Sequence, residues 1–221
     1  TDTTKNQGTG QTKIASKTCI FFSRDAILDA TDTKIGERSV PILNAGSSSS
    51  GSTFTLPIPS GALPGTNYLI LVADGGQIVG ETNESNNTRT KSIFVAGPDL
   101  AVTALSAPTT VTKGTAFTVK DTTKNQGALP VGKGSTTSFY LSTTATLGTG
   151  TQVLLPVSHT VPDLIAGASD YGVVSYTIPI SGQPGTVAAG TWYLIAVADA
   201  GKLVVETDEN DNTRTLRVTV K

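Results

Sequence analysis

Apolar residues in the second half of the chain come in short runs, broken by clusters of Gly, Pro, Asn and Asp. Leu100-Ala-Val-Thr-Ala-Leu105 alternates at period two, the period of a half-buried strand. Ala116–Asp121, Thr137–Ser142, Val173–Ile180, Leu203–Glu206 and Leu216–Val220 read as further strands. Trp192–Asp199 is apolar on both faces, as a central strand would be. In the first half, Thr18–Ser23 matches Thr137–Ser142, and Thr53–Ile58 matches Ser175–Ile180. Pro and Gly recur too often for a long helix. About seven short strands in roughly 120 residues, with turn signals between them, predict an all-β chain of immunoglobulin-like β-sandwiches. Alternation places Ile70, Val72, Ile195 and Val197 on the inward face. Asp74-Gly-Gly76 and Asp199-Ala-Gly201 read as tight turns in which Gly supplies positive φ.

The sequence repeats itself. DTTKNQG occurs at residues 2–8 and 121–127, and YLILVADGGQIVGETNESNNTRT from Tyr68 returns as YLIAVADAGKLVVETDENDNTRT from Tyr193. Two tandem copies therefore fill the chain. The pair Gly97-Pro98 is the natural joint, which gives domains of residues 1–97 and 98–221. Pro98–Val119 has no counterpart in the first copy, which is expected to lack its first strands and to leave sheet edge and core open. Upstream residues of a longer chain, or a strand from another subunit, are the expected fillers. On this reading the first domain is not stable in an isolated monomer.

Composition narrows the function classes. Sixteen basic against 17 acidic residues give a net charge of −1, which argues against a nucleic-acid surface. The 37 threonines suit strands and turns. No apolar run is long enough to span a bilayer. Cys19 is the only cysteine, so no disulfide can form within the chain.

Candidate chemistry is sparse. Asp208, Asn210 and Asn212 carry an alternating D-x-N-x-N pattern from which oxygen ligands can converge on Ca²⁺, and Glu206, Glu209 and Asp211 add charge nearby. Thr213 stands where an EF-hand loop needs its Gly, so the loop is not an EF-hand. The same residues equally suit a turn held by Asn and Asp side chains bonded to the backbone. The first copy offers the poorer set Asn83, Ser85 and Asn87. Ser158 and His159 are adjacent, so on a strand they face opposite ways and make no catalytic pair. His159 is read as a solvent-exposed loop residue, Cys19 as a buried thiol and Gly46–Gly51 as a flexible loop. Asn83 and Asn86 each satisfy N-x-S/T inside an acid-rich turn. Trp192, Tyr171 and Tyr176 are candidates for a sugar platform, although a sandwich core needs most of the few aromatics.

The order Asn125-Gln126-Gly127, then Tyr140-Leu141-Ser142, then YLIAVAD, then Glu206–Thr213 resembles the CARDB family, the cell-adhesion-related domain of bacteria and archaea. The resemblance covers nearly all of both copies. It implies an Ig-like fold and an extracellular, usually tandem, module, and it does not imply catalysis. Its acid-rich segment is kept in the first copy as Asp25, Asp29 and Asp32 and replaced in the second by Thr144, Gly148 and Thr151, so no shared role for those acids follows. The expected function is a non-enzymatic structural or adhesion module in a rod-like array or filament at the cell surface. Its expected partners are neighbouring repeats or other copies of itself. The alternative is a carbohydrate- or protein-binding accessory module of a secreted hydrolase.

Overall fold

The computed structural model describes residues 1–51 and 55–221. The chain divides into two compact units, Thr1–Val95 and Ala96–Lys221, a boundary two residues ahead of the Gly-Pro joint. Both are built from β-strands.

In the second unit the strands are β7 (Leu100–Ser106), β8 (Thr110–Val111), β9 (Ala116–Asn125), β10 (Ser135–Ser142), β11 (Gln152–Val161), β12 (Ser169–Thr177), β13 (Gly190–Val197) and β14 (Thr213–Val220). They form two sheets, ordered β11-β10-β13-β14-β8 and β12-β9-β7. All pairs are antiparallel except β14 with β8. Phe117 and Val119 from one sheet meet Phe139, Leu141, Trp192 and Leu194 from the other in one apolar core, the packing of an Ig-like sandwich.

The first unit repeats this plan with β1 (Thr3–Lys5), β2 (Ser16–Ser23), β3 (Thr33–Val40), β4 (Ser48–Ser50), β5 (Gly65–Val72) and β6 (Thr88–Val95). Its sheets are ordered β3-β2-β5-β6 and β1-β4. Among the described residues nothing corresponds to β7 or β8, so β6 is an edge where β14 is not. Val218 and Val220 are buried, but their equivalents Ile93 and Val95 are only half-buried, and so are Leu69 and Leu71.

Several sequence expectations are corrected. Ser48–Ser50, inside the run read as a flexible loop, is a strand because its backbone pairs with β1. Leu203–Glu206 forms no strand, and Val173–Ile180 is shifted, since β12 ends at Thr177. The matching expectation at Thr53–Ile58 falls partly on residues outside those described, and Thr55–Ile58 is not a strand.

The inward positions of β13 are Trp192, Leu194 and Ala196, one residue out of phase with the expected face. Ile195 is nonetheless fully buried, on the opposite face. The loop after β10 lies against that face, held by the Thr215 hydroxyl donating to the Ala145 carbonyl at 3.0 Å; Thr90 and Ala26 repeat the contact beside Ile70 at 3.4 Å. In both tight turns the positive φ falls on Asp74 and Gln77, and on Asp199 and Lys202, not on glycine. Gly75 serves a different need: a Cβ there would lie 2.5 Å from the buried Cys19 sulfur. In the second unit, Ala200 stands in its place over the smaller Ser138.

Candidate functional site

The two repeated motifs are the natural candidates for a site, and their side chains converge on the strand framework. Thr123 and Thr137 are both fully buried, and their hydroxyls bond across the two sheets at 2.6 Å; Thr4 and Thr18 do the same at 2.7 Å. Asn125 is fully buried and uses its whole amide. Its Oδ1 accepts from the amides of Asp99 (3.1 Å) and Gly127 (3.0 Å), while its Nδ2 donates to the carbonyls of Leu129 (2.8 Å) and Leu164 (3.1 Å). Asn6 repeats three of these bonds, to Gly8, Gly10 and Leu43. Gly127 is small because the backbone of Gly97–Asp99 passes directly against it, where a Cβ would collide.

The closing acidic motif works in the same way. Glu206 is buried, 4 % exposed, and its carboxyl accepts from the Leu100 amide, which opens β7, and from Asn212 Nδ2 at 3.1 Å. Burial pushes its pKa up to about 7, against the opposing pull of the Leu100 and Asn212 bonds, with Glu209 and Asp199 adding to the rise. Glu209 Oε1 accepts from the Glu206 amide at 3.1 Å, closing the turn. Asp208 Oδ1 accepts from the Asn210 amide and side chain, both at 2.9 Å, and the Asp208 amide donates to Asp99 at 3.0 Å. Asp211 accepts from Gln126 at 3.4 Å, and burial raises its pKa. In the first unit Glu81, Asn83, Glu84 and Asn87 rebuild this turn, but Glu81 is exposed and has no β7 amide to hold.

The candidate Ca²⁺ residues are thus neighbours in one turn whose carboxylates accept bonds from the protein itself. Among the described residues no group of three or more His, Cys, Asp or Glu is arranged to share an ion. The acids of the loop after β2 are likewise engaged: Asp25 Oδ1 holds the Ile27 amide at 2.8 Å and Asp29 Oδ1 the Thr31 amide at 2.7 Å. In the second unit the Thr144 hydroxyl bonds that of Thr149 at 2.7 Å, so hydroxyls shape that loop where carboxylates shape the first.

His159 is not the exposed loop residue that its divergent surroundings imply. It lies on β11, 7 % exposed, between Asp121 on β9 and Asp170 on β12. Burial alone would lower its pKa, but the two carboxylates outweigh that and raise it. Among the described residues the Thr123 hydroxyl reaches this group only at Asp121 Oδ2, 3.4 Å away, and no hydroxyl or thiol bonds the His159 ring. Of the aromatic candidates, Trp192 and Tyr176 are buried and Tyr171 is exposed, so they form no platform together. Cys19 is buried, as expected.

This combination defines a class: tandem Ig-like sandwiches whose repeated residues hold strands together. Residues 2–91 and 97–216 match the CARDB family model, and the chain belongs to that family of adhesion-related, non-catalytic modules found in bacterial and archaeal surface or secreted proteins. Among solved structures, the chain is similar to the CARDB domain of a Pyrococcus furiosus protein crystallised in complex with di-metal ions. That match has 23 % identity, covers 58 % of this chain and 97 % of that one, and has a TM-score of 0.42. The solution structure of the same domain gives 25 % identity, 57 % and 97 % coverage and a TM-score of 0.42. A Listeria innocua β-glucosidase in complex with laminaribiose matches at 18 % identity over 66 % of this chain and 20 % of that one, with a TM-score of 0.37. No curated protein sequence matches the chain. No helix is long and apolar enough to cross a membrane among the described residues.

Proposed function

We propose that the chain is a non-enzymatic structural or adhesion module of an extracellular or cell-surface protein, and that its partners are neighbouring repeats of the same kind or other copies of itself. One observation carries this reading. The residues that both copies keep are used to hold the fold: the Asp, Thr and Asn of DTTKNQG bond to other strands and loops of their own unit, the Glu and Asn of the closing motif bond each other, and Gly127 makes room for a close backbone approach. A catalytic repeat would keep a convergent acid–base or nucleophile set. The free β6 edge and the exposed Glu81 support this reading: on it a further strand adds there by the same hydrogen-bonding that seats β7 and β8 in the second unit.

The test is a binding screen of the chain against immobilised polysaccharides, alongside sedimentation of the chain with and without a peptide spanning residues 98–121. Peptide binding, or self-association that Glu81→Ala weakens, supports the proposal. Saturable polysaccharide binding that Tyr171→Ala abolishes would instead make this the accessory module of a secreted hydrolase.

A Ca²⁺ role for Glu206, Asp208, Asn210, Asp211 and Asn212 competes with the turn for the same oxygens. We take the turn as the stronger reading, because Glu206, Asp208 and Asp211 each already accept a bond from the protein.

A further inference from the structure

The carboxylate that opens both copies of DTTKNQG is buried, and each unit neutralises it differently. In the first unit Asp2 is clasped by Arg38 of β3: Nη2 lies 2.7 Å from Oδ2, and Nε lies 3.0 Å from both carboxylate oxygens. The same guanidinium donates to the Ser49 hydroxyl of β4 at 3.0 Å and to the Ser49 carbonyl at 3.2 Å. In the second unit Asp121 is fully buried and faces His159 of β11, whose Nδ1 lies 2.9 Å from Asp121 Oδ2. The opposite ring nitrogen, Nε2, lies 2.8 Å from Asp170 Oδ2 on β12. A glycine clears the space in each case. A Cβ at Gly51 would lie 2.5 Å from Asp2 Oδ1 and 2.6 Å from Arg38 Cδ, and one at Gly172 would collide with Asp121 and the His159 ring. Position by position, the two arrangements are one device with different cations.

The chemistry of the ring decides its charge. An ionised carboxylate only accepts hydrogen bonds, and a neutral imidazole offers one donor and one lone pair. With carboxylate oxygens in bonding range of both nitrogens, the neutral ring sets a lone pair against one of them. With both carboxylates ionised, only the imidazolium satisfies both contacts. The packed elements offer no other charge: β9 presents Asp121, β12 presents Asp170 with Gly172 and Val174 beyond it, and β10 presents the uncharged Thr137 opposite the ring.

We propose that His159 is a proton-operated clasp between the two sheets of the second unit, binding β11 to β9 and β12 while protonated and releasing that seam when the proton leaves. The first unit holds a guanidinium, that of Arg38, where the second holds the imidazole, so the proton-operated contact belongs to the second repeat alone. The sign follows from linkage. The folded pKa of His159 lies above its ordinary 6.5, so its contribution is complete below pH 6.5 and is lost as pH rises through the folded value.

Because Glu206 also loses stabilisation as pH rises, the readout is the imidazole itself and not bulk melting. His159 is the only histidine, so its ring signals in ¹H–¹³C and ¹H–¹⁵N spectra of the full chain are unambiguous. The expected titration midpoint lies above 6.5, with both nitrogens protonated below that midpoint, and Asp170→Asn lowers it. Hydrogen exchange, corrected for intrinsic rate, is expected to rise in β11 and β12 above that midpoint while β3 and β4 keep their protection. A midpoint at or below 6.5, an unchanged midpoint in Asp170→Asn, or parallel loss of protection in both units would overturn the proposal.

Discussion

At the scale of single residues, Glu206 and Glu81 occupy the same place in the repeat and face different tasks. Removing the Glu206 carboxyl strands the Leu100 amide in a buried site. An unsatisfied buried donor costs about 1–3 kcal/mol, so Glu206→Ala is expected to destabilise the second unit by that amount in a denaturant melt. Glu81 is exposed, and Glu81→Ala is expected to fall within about 0.5 kcal/mol of the parent, as surface changes do. Glu206→Gln keeps an acceptor for Leu100. Its new amide can face Asn212 Oδ1, which is buried and has no partner, once the Asn212 amide flips. The raised pKa of Glu206 means that its ionisation opposes folding: the parent is favoured below pH 4.5 and loses that advantage as pH rises through about 7. Melting curves between pH 5 and pH 8 are therefore expected to be flatter for Glu206→Gln, on the order of one pKa unit's worth or more of free energy. An unchanged slope would remove Glu206 from the account.

At the scale of elements, the joint between β9 and the lead into β7 rests on a glycine. Gly127→Ala is expected to destabilise the second unit by about 1–3 kcal/mol, because the added methyl meets backbone that cannot step aside. Gly8→Ala, which meets only the Asn6 side chain at 3.2 Å, is expected to cost much less. Denaturant midpoints of the two variants make the comparison. Legibility at this scale followed apolar patterning. β10, β13 and β14 carry it strongly and were plain in the sequence. β11 was missed although Leu155, Val157, His159 and Val161 alternate: Pro156 interrupts the run, and the segment diverges from the first copy, so His159 reads as a loop residue. The proline is tolerated because β11 is an edge strand with a register shift at that point. Leu203–Glu206 misled in the other direction. Its apolar residues are there, but the amides of Val204 and Glu206 bond to Asp199 and Glu209 side chains, which leaves no ladder to join. The repeat marked the motif residues as important, yet no one-dimensional pattern says that Asp121 meets His159, since 38 residues separate them.

At the scale of the whole molecule, the two units differ in how completely they close. Leu194 is fully buried and its equivalent Leu69 only half so. Leu194→Ala is expected to cost about 2–5 kcal/mol and Leu69→Ala distinctly less. Calorimetry of the full chain is expected to show two transitions, the first unit melting at the lower temperature. Neither transition is expected to move between EDTA and millimolar Ca²⁺; a rise of the second alone with Ca²⁺ would return the closing motif to the role of an ion site. The buried Cys19 gives the less closed unit a chemical clock. Its sulfur lies under the Gly75 backbone, so a thiol reagent reaches it only when the turn lifts. The labelling rate then counts openings of the first unit and is blind to the second. The same arithmetic governs the protein in an oxidising compartment: with one thiol per chain, each opening exposes a group that can form a disulfide only with another molecule, so time spent open is recorded as intermolecular disulfide or as oxidised sulfur acids.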